Sequence, residues 1–434
     1  MFGSRFFFAL KTLRERLWVR PLTYVLMAVG LIFLAQSADR LPEHIPLPDI
    51  SADTIEKLLT VISASMLGVA TFAVASMVSA YAAAGRSATP RAFSLVIADQ
   101  VSQTALSSFI GAFIYSIVGI VAIRVGLYET AGRFTIFITT LGIFSWVVLT
   151  FVRWVDNIAR LGRLGNTIEK VEAATRAAFQ PWSGSTALGG VAVLDMSEGG
   201  APVCPAAFGY IQHIDMDGLQ SWAEEQDVWL DLRSVPGAFV SPARALLTID
   251  WPGAPRELED AERECLVRAF VIGSKRTFDE DPRFGLIVLS EIGSRALSPA
   301  INDPGTAIEI LNKLTHILLE RDSAAKQEEA SAPRCSRIRV PALSPDDLLE
   351  DAFAAIEKDG VNAVELGIRL QKSYSLLARA QDSRMREAAK RRSGLALQRA
   401  EHALTFPDDL ERVVRAARDG AGGLVDGKSA NAGD

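Results

Sequence analysis

Four stretches in the first 155 residues carry almost no charge. The runs 58–85, 100–123 and 134–152 contain no Asp, Glu, Lys or Arg. Each is long enough to cross a hydrocarbon core, which takes about 20 residues of helix. A fourth stretch, 21–38, is shorter and ends in Gln36 and Ser37. Its basic flank would suit a signal peptide. That flank is long, however, and Leu41-Pro42 follows without a small-x-small cleavage site, so a retained helix is predicted.

The flanks predict an orientation. The first twenty residues hold Arg5, Lys11, Arg14, Arg16 and Arg20 against Glu15. The next loop is acidic, with Asp39, Glu43, Asp49, Asp53 and Glu56. Arg86 and Arg91 follow the second run, and Arg153, Arg160, Arg163 and Lys170 follow the fourth. Positive residues stay inside, so both termini are placed in the cytoplasm.

The second run is rich in small residues, including Ser63, Ala64, Gly68, Ala70, Ala73 and Ala75. Small residues let helices approach closely in lipid. This helix reads as sitting inside the bundle or at an oligomer interface, with a pore lining as the sharper reading. Residues 87–99 read as a short amphipathic helix at the inner surface, with Phe93, Leu95, Val96 and Ile97 against lipid. Arg86 and Arg91 suit lipid phosphates. Asp99, Gln100 and Gln103 mark a polar mouth to the third run, where either interfacial anchoring or an ion or substrate path fits.

Beyond residue 155 the pattern changes. A helix continues to residue 179 and breaks at Pro181-Trp182-Ser183-Gly184. Short apolar runs at 191–196, 208–215, 228–232 and 245–249 predict strands, with a small helix at 216–226. They suggest a compact barrel or sandwich. Their rhythm is that of lipoyl or biotinyl carriers, but no lysine occurs between 180 and 273, which argues against a swinging arm and leaves at most an architectural likeness. Helices follow at 257–273 and 282–297, and a third starts at Asp303-Pro304, where Asp caps and Pro fits the first position. Residues 321–339 read as polar linker. About three more helices fill 345–417, with Phe353, Ile356, Val364, Leu366, Leu370, Leu376 and Leu377 as core. Residues from 420 onward read as disordered.

The fold class is therefore a membrane α-helical part with four spans plus a cytoplasmic α+β part, a small β-barrel or sandwich followed by helices. The divisions are 1–155 transmembrane, 156–180 connecting helix, 181–255 β-rich, 256–320 helical, 321–344 linker, 345–418 helical and 419–434 tail.

Composition adds little. A net charge of −6 gives no reason to expect nucleic acid. Cys204, Cys265 and Cys335 are far apart and odd in number, which argues for reduced thiols and against a zinc site. His44, His213, His316 and His402 are scattered, and no nucleophile elbow, phosphate loop or HExxH occurs. No enzyme and no cofactor are predicted. The basic patch Arg384, Arg386, Lys390, Arg391 and Arg392 reads as a solvated helix face or an inner-leaflet contact.

The stretch R-A-L-S-P-A-I-N-D-P-G-T-A-I at 295–308 resembles the signature of the DUF2254 family, bacterial membrane proteins of uncharacterised function. Further blocks resemble it at 89–100 (T-P-R-A-F…D-Q), 209–240 (G-Y-I-Q-H-I-D…P-G-A-F-V) and 270–285 (F-V-I-G-S-K-R-T-F-D-E-D-P-R-F-G). The resemblance runs from about 13 to 404, and relatives often have Gly where this chain has Ala300. It implies four spans and a cytoplasmic part, and it points to Arg276, Asp279, Asp281, Arg295, Ser298, Asn302 and Asp303. The two polar turns holding these residues flank one helix, so they should form separate sites. The start of the third helix suits an anion or polar ligand. Asp279, Glu280 and Asp281 suit a divalent cation. Against this, Asp303 as a simple cap, Asn302 and Ser298 as turn closers, and arginines paired with carboxylates are the structural alternatives.

Three functions fit. One is a homo-oligomeric channel or transporter for an ion or small ligand, gated by its cytoplasmic part. The second is a non-transporting scaffold or envelope-stress factor that recruits a partner. The third is a membrane-bound enzyme.

Overall fold

The computed structural model describes residues 18–40, 48–87, 89–97, 99–161, 163–182, 186–196, 199–253, 256–327 and 332–422. The flank residues Arg5, Lys11, Arg14 and Arg16, the loop residue Glu43 and the tail 423–434 lie outside them. The chain divides into two compact units, with the boundary after Thr167.

Among its described residues, the first unit contains four helices long and apolar enough to cross a membrane. They are α1 (Val19–Ser37), α2 (Ala52–Ser87), α4 (Gln100–Arg124) and α5 (Thr130–Leu161), with the short α3 (Phe93–Ile97) before α4. At about 1.5 Å per residue, the 36 residues of α2 extend roughly 54 Å, well beyond a core of about 30 Å.

The small-residue helix at the centre is α4, not the second span. Ser102, Ala105, Phe109, Ala112, Tyr115 and Ala122 of α4 are buried. A side chain at Gly111 would come within 3.1 Å of Tyr24 Cβ in α1, and one at Gly119 within 3.0 Å of Leu59 in α2. Close approach from both sides needs those glycines. α2 instead buries a bulkier stripe, Ile62, Met66, Ala70, Ala73 and Met77, and leaves Ala64, Gly68 and Ala75 exposed. The reason is helical phase: Ile62, Met66, Ala70 and Ala73 share the face that meets Phe109 and Trp154, whose rings pack edge-on at 6.3 Å, while Leu67 and Val74 turn outward with the small residues.

Polar groups fasten the ends of the bundle. Glu56 of α2 accepts from Arg124 Nε of α4 at 3.0 Å. Asp39 accepts the Gly132 and Glu129 N–H groups at 2.6 and 3.1 Å, satisfying the start of α5.

The boundary falls within α6 (Leu164–Phe179), which the non-helical Arg163 separates from α5, so the expected continuous helix is interrupted. No closed barrel forms. Among the described residues, nine strands make two sheets. In chain order the strands are β1 (Thr186–Ala187), β2 (Gly190–Val193), β3 (Ala201–Val203), β4 (Gly209–Ile214), β5 (Trp229–Leu232), β6 (Phe239–Val240), β7 (Leu247–Asp250), β8 (Phe270–Gly273) and β9 (Cys335–Pro341). The larger sheet has the order β1-β2-β9-β5-β7-β3 and the smaller β6-β4-β8.

β9 comes from the segment expected as linker. Ile338 and Val340 alternate inward along it, and both are fully buried. It inserts in parallel between β2 and β5, which a barrel closed within residues 181–255 would forbid. Arginines at 334, 337 and 339 gave the segment its polar look.

The helices of this unit are α7 (Met216–Glu225), α8 (Asp260–Arg268), α9 (Pro282–Ala296), α10 (Pro304–Gln327), α11 (Pro345–Asp359), α12 (Val364–Leu377), α13 (Ser383–Ala403) and α14 (Pro407–Gly422). The expected helix 257–273 stops at Arg268, and its last residues become β8. Of the expected core residues in 345–417, only Leu376 is exposed.

An ionic cluster ties α6 to α10. Lys313 Nζ lies 2.5 Å from Glu172, Arg176 lies 2.6 Å from Glu172 and 2.5 Å from Glu320, and Arg176 also meets His316 Nδ1 at 2.9 Å. Burial alone would raise the Glu172 carboxyl, but Lys313 and Arg176 hold it below the usual glutamate range. A depressed folded pKa contributes stability that is present above the ordinary value of 4.5 and is lost as pH falls through the folded one. Glu172→Gln is therefore expected to flatten the acid limb of the thermal stability profile. An unchanged limb would assign acid lability elsewhere.

Candidate functional site

Three segments far apart in sequence converge in the second unit. They are β4 with Gln212 and His213, the Pro236-Gly237 turn, and the polar turn from Gly273 to Pro282. Arg276 makes a two-pronged contact with Asp281, Nε to Oδ2 at 2.7 Å and a terminal nitrogen to Oδ1 at 2.9 Å. Its guanidinium also lies over the Phe284 ring, 5.1 Å from the centroid. Asp281 is only 3% exposed and accepts the Phe284 N–H at 3.0 Å, capping α9, whose first residue is Pro282. Burial pushes the Asp281 carboxyl upward, and Arg276 pulls against it.

Beside this pair, His213 Nδ1 lies 2.6 Å from Glu280 Oε1. Trp182 donates its indole N–H to the Glu280 carbonyl at 3.1 Å. Gln212 donates to the Lys275 carbonyl at 2.8 Å. Gly237 is packed against the Asp281 carboxylate with φ +88°. No Cβ fits there, and the conformation disfavours L side chains. Gly237→Ala is expected to cost about 2 kcal/mol or more, read as a lower unfolding temperature in detergent. An unchanged midpoint would mean that the turn yields.

The other family-like turn is separate. α9 has 15 residues and so rises about 22 Å between the two turns. Arg295 is exposed in its last turn. Ser298 O accepts the N–H of Asn302 at 2.8 Å, and Asp303 N–H bonds Ala296 O at 2.8 Å. Asn302 sits at φ +49°, a left-handed position that asparagine tolerates. Asp303 accepts the Thr306 N–H at 3.0 Å and its hydroxyl at 2.6 Å, and these hold its carboxyl below the usual range. The carboxylate thus occupies the place at the start of α10 where an anion would sit.

The acids 279–281 do not form a cation site. Asp281 faces Arg276 and Glu280 faces His213, and among the described residues no three His, Cys, Asp or Glu side chains gather. Asp279 lies partly exposed on the same turn. His213, Trp182 and Gly237 are the residues that sequence reading left out of the site, and Glu280 was read there only as a cation ligand. The signal was present, since the 209–240 and 270–285 blocks belong to the same resemblance and could have been read as one surface.

In the membrane unit, Asp99 Oδ2 caps α4 through Ser102 N–H at 2.9 Å and accepts from Asn157 of α5 at 2.7 Å. Gln103 is 3% exposed and donates to Ile97 O at 3.2 Å. Arg20 of α1 reaches Gln100 O and Thr104 Oγ1, each at 3.4 Å. Gln100 and Arg91 are exposed, and the Arg86 side chain lies outside the described residues. Val96, expected against lipid, packs instead on Met77 and Tyr81 of α2.

A family model described as "Predicted membrane protein (DUF2254)" matches residues 14–375. Uncharacterised proteins of Mycobacterium tuberculosis strain H37Rv and of Mycobacterium bovis are each 34% identical over 142 residues, 32% of this chain. The matched part is 26% of their length, so the chain spans about a quarter of the curated relatives it matches. No solved structure matches significantly.

Proposed function

The chain belongs to the DUF2254 family of predicted membrane proteins, and from that premise we propose that it is a non-enzymatic membrane scaffold, displaying its second unit to a partner in the cytoplasm. The observation that carries this reading is the fate of the polar residues at the Asp99 end of the bundle. Asp99, Ser102, Gln103 and Asn157 bond to one another and to backbone, closing the helix ends. Deeper in α4, Ser107 and Ser116 donate back to Gln103 O and Ala112 O. Groups satisfied in this way favour packing over conduction. The cations in the last turns of α5 and beyond it, Arg153, Arg160, Arg163 and Lys170, support a plasma-membrane protein with both termini in the cytoplasm.

A second reading is an oligomeric channel or transporter gated by the second unit. Ala64, Gly68 and Ala75 of α2, exposed in one chain, favour it because small residues suit helix contacts between copies. Ion flux into liposomes holding the full chain separates the two. The scaffold reading expects flux no greater than in empty liposomes. Flux that falls on changing Gln103 to alanine would sink it and install the channel.

A further inference from the structure

The second unit carries an aromatic tip that no core covers. Phe208, just before β4, is 70% exposed, and Phe239 on β6 is 51% exposed. Tyr210 and Phe239 are register partners across β4 and β6, and their rings pack edge-on at 5.2 Å. The two segments that build the tip, 199–212 and 234–243, contain no Asp, Glu, Lys or Arg. Ala206, Ala207, Pro242 and Ala243 beside the rings are also exposed. An apolar surface of this kind costs free energy in water unless something covers it.

Two cations flank it. Arg244 is exposed and anchored by donating to the Phe239 carbonyl at 3.3 Å. Lys275 is exposed just beyond β8, and its carbonyl is held by Gln212. Tyr210 pairs with Gly273 in the antiparallel register, and Lys275 follows two residues after that last pair.

We propose that the Phe208–Phe239 tip, flanked by Arg244 and Lys275, docks on an anionic phospholipid surface. Aromatic rings are favoured at the boundary between headgroups and acyl chains. Basic side chains beside them meet the negative surface potential. The chain is anchored in a bilayer, so this surface is present at high effective concentration and even a weak contact is populated. Strand addition by a second copy beside Phe239 is disfavoured, because β6, the edge strand on that side, has only two residues.

The test uses the full chain in nanodiscs of phosphatidylcholine alone, or of phosphatidylcholine with phosphatidylglycerol. Phe239→Trp adds an indole at the tip, read as the difference from the native chain, with brominated lipid as quencher. Quenching is expected with phosphatidylglycerol, about twofold or more weaker without it, and lost in R244E/K275E. An indole unquenched in both discs overturns the proposal. So does quenching that disappears when each disc holds one chain, which would give the tip to a second copy. Hydrogen exchange of 204–210 and 239–244 in the unsubstituted chain gives the same decision without a variant. Slower exchange in anionic discs supports docking, and equal exchange in both refutes it.

Discussion

Asp281→Ala is expected to destabilise the second unit by about 3–5 kcal/mol, the cost of removing one partner from a buried ion pair. Three losses fall together. Arg276 keeps its charge but loses the carboxylate that both arms of its guanidinium contact. The Phe284 N–H at the start of α9 loses its acceptor. The space beside Gly237, shaped around the carboxylate, becomes a void. Asp281→Asn keeps an oxygen for the cap and should cost clearly less. Pairing Asp281→Asn with Arg276→Met removes both charges, and most of the loss should return. The measurement is the opening free energy of α9 amides by native-state hydrogen exchange in detergent. A cost below about 1 kcal/mol for Asp281→Ala would mean that water replaces the carboxylate freely, and the site would then be open enough to receive a ligand.

How much of this was legible follows from the range of each signal. The four spans rest on uncharged runs and hydropathy, which are local, and they are the four apolar helices found. The cap at Asp303 and the start at Pro304 are also local. The placement of α4 at the centre was not legible. Composition favoured the second run, yet which face of a helix is buried depends on where neighbours such as Trp154 and Tyr24 lie. β9 was missed because arginine alternates with its buried residues, and its partners β2 and β5 lie more than a hundred residues upstream. The Asp281 cluster was half legible. Arg276 and Asp281 stood in one turn, whereas His213 and Gly237 join them only through sheet pairing and the turn before β6.

Glu357→Ala is expected to cost a similar amount, about 3–5 kcal/mol, in the C-terminal helices. Glu357 on α11 is 3% exposed and sits among Tyr374, Arg399 and Arg392. The Tyr374 hydroxyl, itself fully buried, donates to its carboxylate, and Arg399 lies 2.6 Å away. Burial pushes the Glu357 carboxyl up, with the Tyr374 hydrogen bond opposing. Burial and the nearby negative charge drive the Tyr374 phenol well above its usual range. Tyr374 therefore stays protonated and remains a donor, and alanine at 357 would leave that donor and the Arg399 guanidinium without their acceptor, while Arg392 keeps Glu350. A cavity of about 20 Å³ lined by Glu357, Leu370, Arg399 and Val413 adjoins the site, room for about one water. A neutral water cannot replace the carboxylate charge beside Arg399 and Arg392, so it offsets only part of the cost. Glu357→Gln keeps an acceptor for Tyr374 and should lose about 1–2 kcal/mol, with Tyr374→Phe costing about 1 kcal/mol. The double variant should cost less than the sum, because both changes remove the same hydrogen bond. Exchange of the α11 and α12 amides reads all three. Strict additivity would show that Arg399, and not Tyr374, is the partner that holds Glu357.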